Sequence, residues 1–111
     1  KALRLAVEAL RDTLKALKGQ LFAHGRPQGL MAGLDCLLQA DARELAARIH
    51  CPVGLFYGAK DAITPAAAGR WLDAQLADSH YYDFPQASHA PFLSHEAEFI
   101  ATLRQHLEQH A

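Results

Sequence analysis

Apolar residues recur along the first eighteen positions, KALRLAVEALRDTLKALK, so that Leu3, Ala6, Val7, Leu10, Leu14 and Leu17 share one stripe. Lys1, Arg4, Glu8, Arg11, Asp12 and Lys15 fall elsewhere, which predicts an amphipathic helix closed by Gly19. The stretch GQLFAHGRPQG, residues 19–29, reads as a loop with Gly25, Pro27 and Gly29 as breakers, and a second short helix is expected over 29–38. ARELAARI, residues 42–49, fits a third. Then the period changes: PVGLFYG, residues 52–58, is a continuous apolar run, the pattern of a parallel strand covered on both faces rather than an edge. Thr64 and Pro65 supply a cap and a first-turn proline for a helix to about residue 76. SHYYDF, residues 79–84, reads as a second strand. Ser94 can cap a last helix with Glu96 and Glu98 at its positive end and a stripe of Phe99, Ile100, Leu103 and Leu107. From residue 42 the order is helix, strand, helix, strand, helix. Two strands joined through a helix make a parallel crossover, so the fold class is α/β.

Composition narrows what such a frame can do. At 111 residues, half of them hydrophobic, the chain is one domain at most. A net charge of -1 without any basic run argues against nucleic acid as a partner. Cys36 and Cys51 form no C-x-x-C, so neither a disulfide framework nor a zinc knuckle is suggested, and a reducing, cytoplasmic setting fits. No run is apolar enough to span a membrane and no signal pattern is seen. The opening directly on a helical pattern at Lys1, without methionine, predicts a cut inside a longer protein.

The candidate chemistry lies on two loops. Asp61 follows the first strand at its carboxyl end, and His89 follows the second. That edge of an open parallel sheet is where ligands bind. Neighbouring strands lie ~4.8 Å apart, close enough for the carboxylate to meet the ring. A carboxylate so placed holds one imidazole nitrogen as a donor and leaves the other as a base, the orienting half of a Ser-His-Asp triad. Asp61 could otherwise be a turn carboxylate, and His89 a loop histidine bonded to backbone. His106 and His110, four apart, could share a metal, but histidines also suit a helix end. Cys36 and Trp71 read as packing residues.

The segments ADARELAARIHCPVGLFYGAKDAITP and ASHAPFLSHEAEF resemble the blocks that introduce the catalytic acid and base in α/β-hydrolases. The second, with KALRLAVEAL and AGLDCLLQADARELAARIHCP, is similar to the carboxylesterases that cleave the methyl ester of pimeloyl-acyl-carrier protein in biotin synthesis. The resemblance implies that residues 1–40 are the rear part of a helical lid and residues 41–111 the C-terminal part of the hydrolase core. It implies Asp61 as acid, His89 as base, and a contact of Lys1 and Arg4 with an acidic carrier protein. No metal or organic cofactor is implied. The chain departs from the family in lacking Gly-x-Ser-x-Gly: its serines, Ser79, Ser88 and Ser94, lie beside the histidine loop and not on a strand-to-helix elbow. The nucleophile is therefore expected in a missing N-terminal part. Alone, these residues are expected to be inactive and, through an unpaired strand edge, to self-associate. A lactonase, a carbon-carbon bond hydrolase or a non-catalytic module are the alternatives.

Overall fold

The computed structural model describes residues 1–25 and 27–110. The chain divides into two units, residues 1–41 and 42–111. In the first, helix α1 runs Ala2–His24 and helix α2 runs Pro27–Gln39. Gly19 thus lies inside α1 instead of closing it. An interior glycine costs about 1 kcal/mol against alanine, but Leu21 extends the stripe of Leu14 and Leu17 by another turn. The helix ends at Gly25, whose backbone is extended and whose N–H reaches the Leu21 carbonyl at 2.7 Å. Arg26, assigned by sequence to the loop, lies outside the described residues. α1 buries none of its residues, and Leu3 is 79% exposed.

The second unit begins with a 3-10 helix, Arg43–Arg48, where the sequence suggested an α-helix. Strand β1 (Val53–Gly58) and strand β2 (Ser79–Phe84) pair in parallel through helix α3 (Ala66–Gln75). Short helix α4 (Pro91–Ser94) and helix α5 (Glu96–His110) follow. Register sets Leu55 beside Tyr81 and Phe56 beside Tyr82, so side chains alternate between two faces. On one face Leu55 joins Ala46 and Leu76 in a small core, with Val53, Tyr57, Leu72 and Tyr81 packed against it. The other face is aromatic: the Phe56 ring stacks on Tyr82 at 4.8 Å and meets Phe99 of α5 at 5.4 Å. Phe84, 1% exposed, closes this cluster beneath the histidine loop.

Other expectations are corrected in this unit. β1 is only half-buried at most positions, and among the described residues the sheet has two strands, so each borders one neighbour. A continuous apolar run reports covered faces and says nothing about lateral neighbours. Ser94 does not cap α5; its hydroxyl turns back to the Ala90 carbonyl at 3.2 Å and ends α4. Along α5 the inward stripe is Phe99, Leu103 and His106, while Ile100 and Leu107 are exposed. His106 is a core residue because Tyr82 answers its ring nitrogen at 2.9 Å and Gly54 leaves room for the ring. Trp71, expected in the core, is 44% exposed.

Candidate active site

The two loops that leave the strand ends are tied together by backbone. Ala59 N–H donates to the Phe84 carbonyl at 3.0 Å, and Lys60 N–H to the Ala87 carbonyl at 3.0 Å. Lys60 Nζ adds a bond to Gln86 Oε1 at 2.9 Å. Gly58 makes this approach possible. A Cβ at Gly58 would overlap the Ser88 carbonyl oxygen and come within 2.5 Å of the Ala87 carbonyl oxygen. The glycine of Gly-x-x-Asp is therefore required by space and not by an unusual backbone angle, since no described residue has positive φ. Beyond the crossing, buried Ala87 and Pro91 hold the two sides of the His89 loop.

Asp61 is the centre of the site. Its Oδ1 accepts the backbone N–H of Ile63 at 2.8 Å and of Thr64 at 3.0 Å. Its Oδ2 accepts the Thr64 hydroxyl at 2.8 Å and faces His89 Nδ1 at 3.0 Å. The turn carboxylate and the histidine-holding carboxylate are thus the same group. Burial alone would raise its pKa, but bonds from the Thr64 backbone, the Thr64 hydroxyl, His89 and the Ile63 backbone outweigh it and hold the carboxyl well below the ordinary range. Because the folded value lies below the unfolded one, the stability these bonds give is complete above about pH 4 and is lost as pH falls through the depressed value.

An ionised carboxylate only accepts, so the proton on the 3.0 Å line belongs to His89 Nδ1. Nε2 then carries the lone pair. The Asp61 side chain is 4% exposed and that of His89 51%, so the anion is enclosed while the ring is open to a reactant. This arrangement can take a proton at Nε2 and stabilise the resulting imidazolium from behind.

Sequence reasoning placed Thr64 as the cap of α3. In the structure Pro65 occupies the cap position without a side-chain bond, and the Thr64 hydroxyl is engaged on Asp61. The spacing Asp-x-x-Thr was the available signal. Lys1 and Arg4 belong to the other unit: Lys1 is the N-cap of α1, and exposed Arg4 bonds Glu8 at 3.0 Å. His106 is engaged with Tyr82, and the His110 ring stacks on His80 at 3.8 Å. Burial, then the neighbouring His80 and His106, push the His110 pKa down against the opposing pull of Asp78. Among the described residues no group of three histidine, cysteine or acidic side chains is arranged to hold a metal. No described helix is long and apolar enough to cross a membrane. Both cysteines are exposed and unpaired with each other.

Comparison with curated proteins finds close relatives, although no family model matches. Over 107 residues, 96% of the chain, it is 63% identical to a pimeloyl-acyl-carrier-protein methyl ester esterase of Chromobacterium violaceum, covering 42% of that protein. Proteins of the same name are 38% identical in Aliivibrio fischeri, over 91% of this chain and 40% of theirs, and 45% identical in Neisseria meningitidis serogroup B, over 76% and 33%. The chain spans about two fifths of the length of the first two relatives, and the matched part of the Chromobacterium protein is C-terminal.

Proposed function

We propose a function for this chain from its place in a family: it belongs by sequence with the C-terminal part of the pimeloyl-acyl-carrier-protein methyl ester esterases, and its fold is that part of an α/β-hydrolase. In the full-length protein, Asp61 and His89 are the acid and base of a serine esterase. The observation that carries this is the 3.0 Å contact of an enclosed, ionised carboxylate with the Nδ1 edge of an open imidazole.

The serine comes from outside these residues. Ser79 Oγ is engaged on Asp73 Oδ1 at 2.5 Å and Ser94 Oγ on Ala90 and His95, while Ser88 directly precedes the histidine on its own loop; none of the three stands on a strand-to-helix elbow. As the serine oxygen attacks the methyl ester carbonyl, His89 Nε2 takes its proton and Asp61 stabilises the imidazolium. The imidazolium returns that proton to the departing methoxide, releasing methanol. Water then attacks the acyl-enzyme, His89 again taking and returning the proton, and the free acid leaves. The relatives' name supplies the substrate class, an acyl chain on a carrier protein. With the full-length protein and that ester, methanol and the carrier-linked acid are the expected products. Turnover of lactones but not of the ester would contradict the assignment. The isolated 111 residues should release no product and should sediment as an associated species.

The rear lid segment, residues 1–40, offers Lys1 and Arg4 to the acidic carrier. The first turn of α1 contains no acidic residue, so its positive end and these cations act together. The Arg4–Glu8 pair is exposed and worth little, which leaves Arg4 able to exchange partners. Reversing both charges should raise KM for the carrier-linked ester several-fold, by roughly an order of magnitude at low salt, and flatten its salt dependence. Small soluble esters should be turned over as before; equal effects on both substrates would remove the carrier role.

A further inference from the structure

We propose that Thr64 is a positioning residue for the Asp61–His89 pair, fixing the one carboxylate oxygen that holds the imidazole. This rests on the esterase function proposed above. The two carboxylate oxygens are held differently. Oδ1 is tied by two backbone N–H groups, which no side-chain substitution at residue 64 removes. Oδ2 has the Thr64 hydroxyl at 2.8 Å and His89 Nδ1 at 3.0 Å.

Thr64 Oγ1 also lies 3.4 Å from His89 Nδ1, so carboxylate oxygen, hydroxyl and ring nitrogen form a closed triangle. Only one proton arrangement satisfies it. The hydroxyl donates to Oδ2, the ring donates from Nδ1 toward Oδ2, and the lone pairs of the hydroxyl oxygen face the same Nδ1–H. A ring protonated on Nε2 instead would point its Nδ1 lone pair at the anion, which is repulsive, and the hydroxyl could answer it only if its proton left Oδ2. The hydroxyl therefore helps select the tautomer with a free Nε2. It also blocks carboxylate rotation about the bond that Oδ1 alone leaves soft. Thr64 touches no reacting atom; it acts through Asp61 and His89.

Thr64→Val keeps the shape and the backbone donors and removes only the hydroxyl. In the full-length protein kcat should fall by about tenfold to a hundredfold, the range for losing a hydrogen bond to an ionised group, with KM unchanged. Thr64→Ser keeps the donor and should stay within about threefold of the wild-type kcat. Nitrogen-15 NMR of the labelled histidines gives an independent readout: neutral His89 carries its proton on Nδ1 in the wild type and in Thr64→Ser, and shifts toward Nε2–H in Thr64→Val. Thr64→Ala, which cannot crowd the loop, should match Thr64→Val on both readouts. Wild-type kcat and tautomer in Thr64→Val or Thr64→Ala, or a Thr64→Ser variant as impaired as Thr64→Val, would overturn the proposal. Activity that survives His89→Ala would instead sink the esterase mechanism, and the NMR arm would still decide the role of Thr64.

Discussion

Replacing His89 by alanine in the full-length protein lowers kcat by at least about three orders of magnitude, with KM for the ester little changed. In the proposed mechanism the ring moves the proton in both half-reactions, so its removal should leave the serine without a base. Asp61→Asn should cost nearly as much. Asparagine can present its NH2 group to Nδ1, which stabilises the Nδ1 lone pair and puts the ring proton on Nε2, the wrong tautomer for a base. The amide would also lack the ionised acceptor that two backbone N–H groups and the Thr64 hydroxyl now share. The acid dependence of stability assigned to Asp61 should disappear with it. Steady-state kinetics and an acid titration of folding check both parts. Near-normal turnover in Asp61→Asn would remove the acid role from Asp61, and near-normal turnover in His89→Ala would dissolve the pair.

A second large effect is expected from a residue with no chemistry. Gly58→Ala places a methyl where the Ser88 carbonyl oxygen sits, and the obstacle is backbone, which cannot swing aside as a flexible side chain would. The histidine loop must lift, and the bonds from Ala59 and Lys60 to Phe84 and Ala87 must lengthen. A displacement of about 1 Å at a catalytic group costs on the order of a hundredfold in rate. We expect that loss in kcat, together with overpacking destabilisation of about 1–3 kcal/mol read from a thermal or denaturant melt. Ala59→Ser, at the next position, where the side chain is exposed, should leave both unchanged. A Gly58→Ala variant with wild-type kcat would show that the loop crossing does not set the position of His89.

Most of this frame was legible because two different periodicities sit side by side in one short sequence. The continuous run through Leu55 and the short aromatic-rich segment around Tyr81 could be told from the helical stripes, and their order, with a helix between, pointed to a parallel pair. Parallel pairing then brought Asp61 and His89 to one edge, because each follows its strand by a few residues. What pattern could not convey was where individual polar groups would be used. Thr64 before a proline is a good cap, yet a nearby carboxylate competed for its hydroxyl and took it. His106 read as a helix-end histidine, because nothing local announces that Tyr82, twenty-four residues away, answers its ring nitrogen. The helix start at Ser94 failed for a similar reason, its hydroxyl being drawn back to Ala90 by the turn after Pro91. Gly19 shows the opposite error, a local breaker overruled by the continuing stripe.

The central claim is that this chain brings base and acid to a serine held elsewhere in the full-length protein. Labelling with a fluorophosphonate, which reacts with a serine only when a base activates it, tests this directly. Mass spectrometry should find one adduct on a serine outside residues 1–111, formed quickly in the wild type and about a thousandfold more slowly in His89→Ala. An adduct on Ser79, Ser88 or Ser94, or a labelling rate indifferent to His89, would contradict the account.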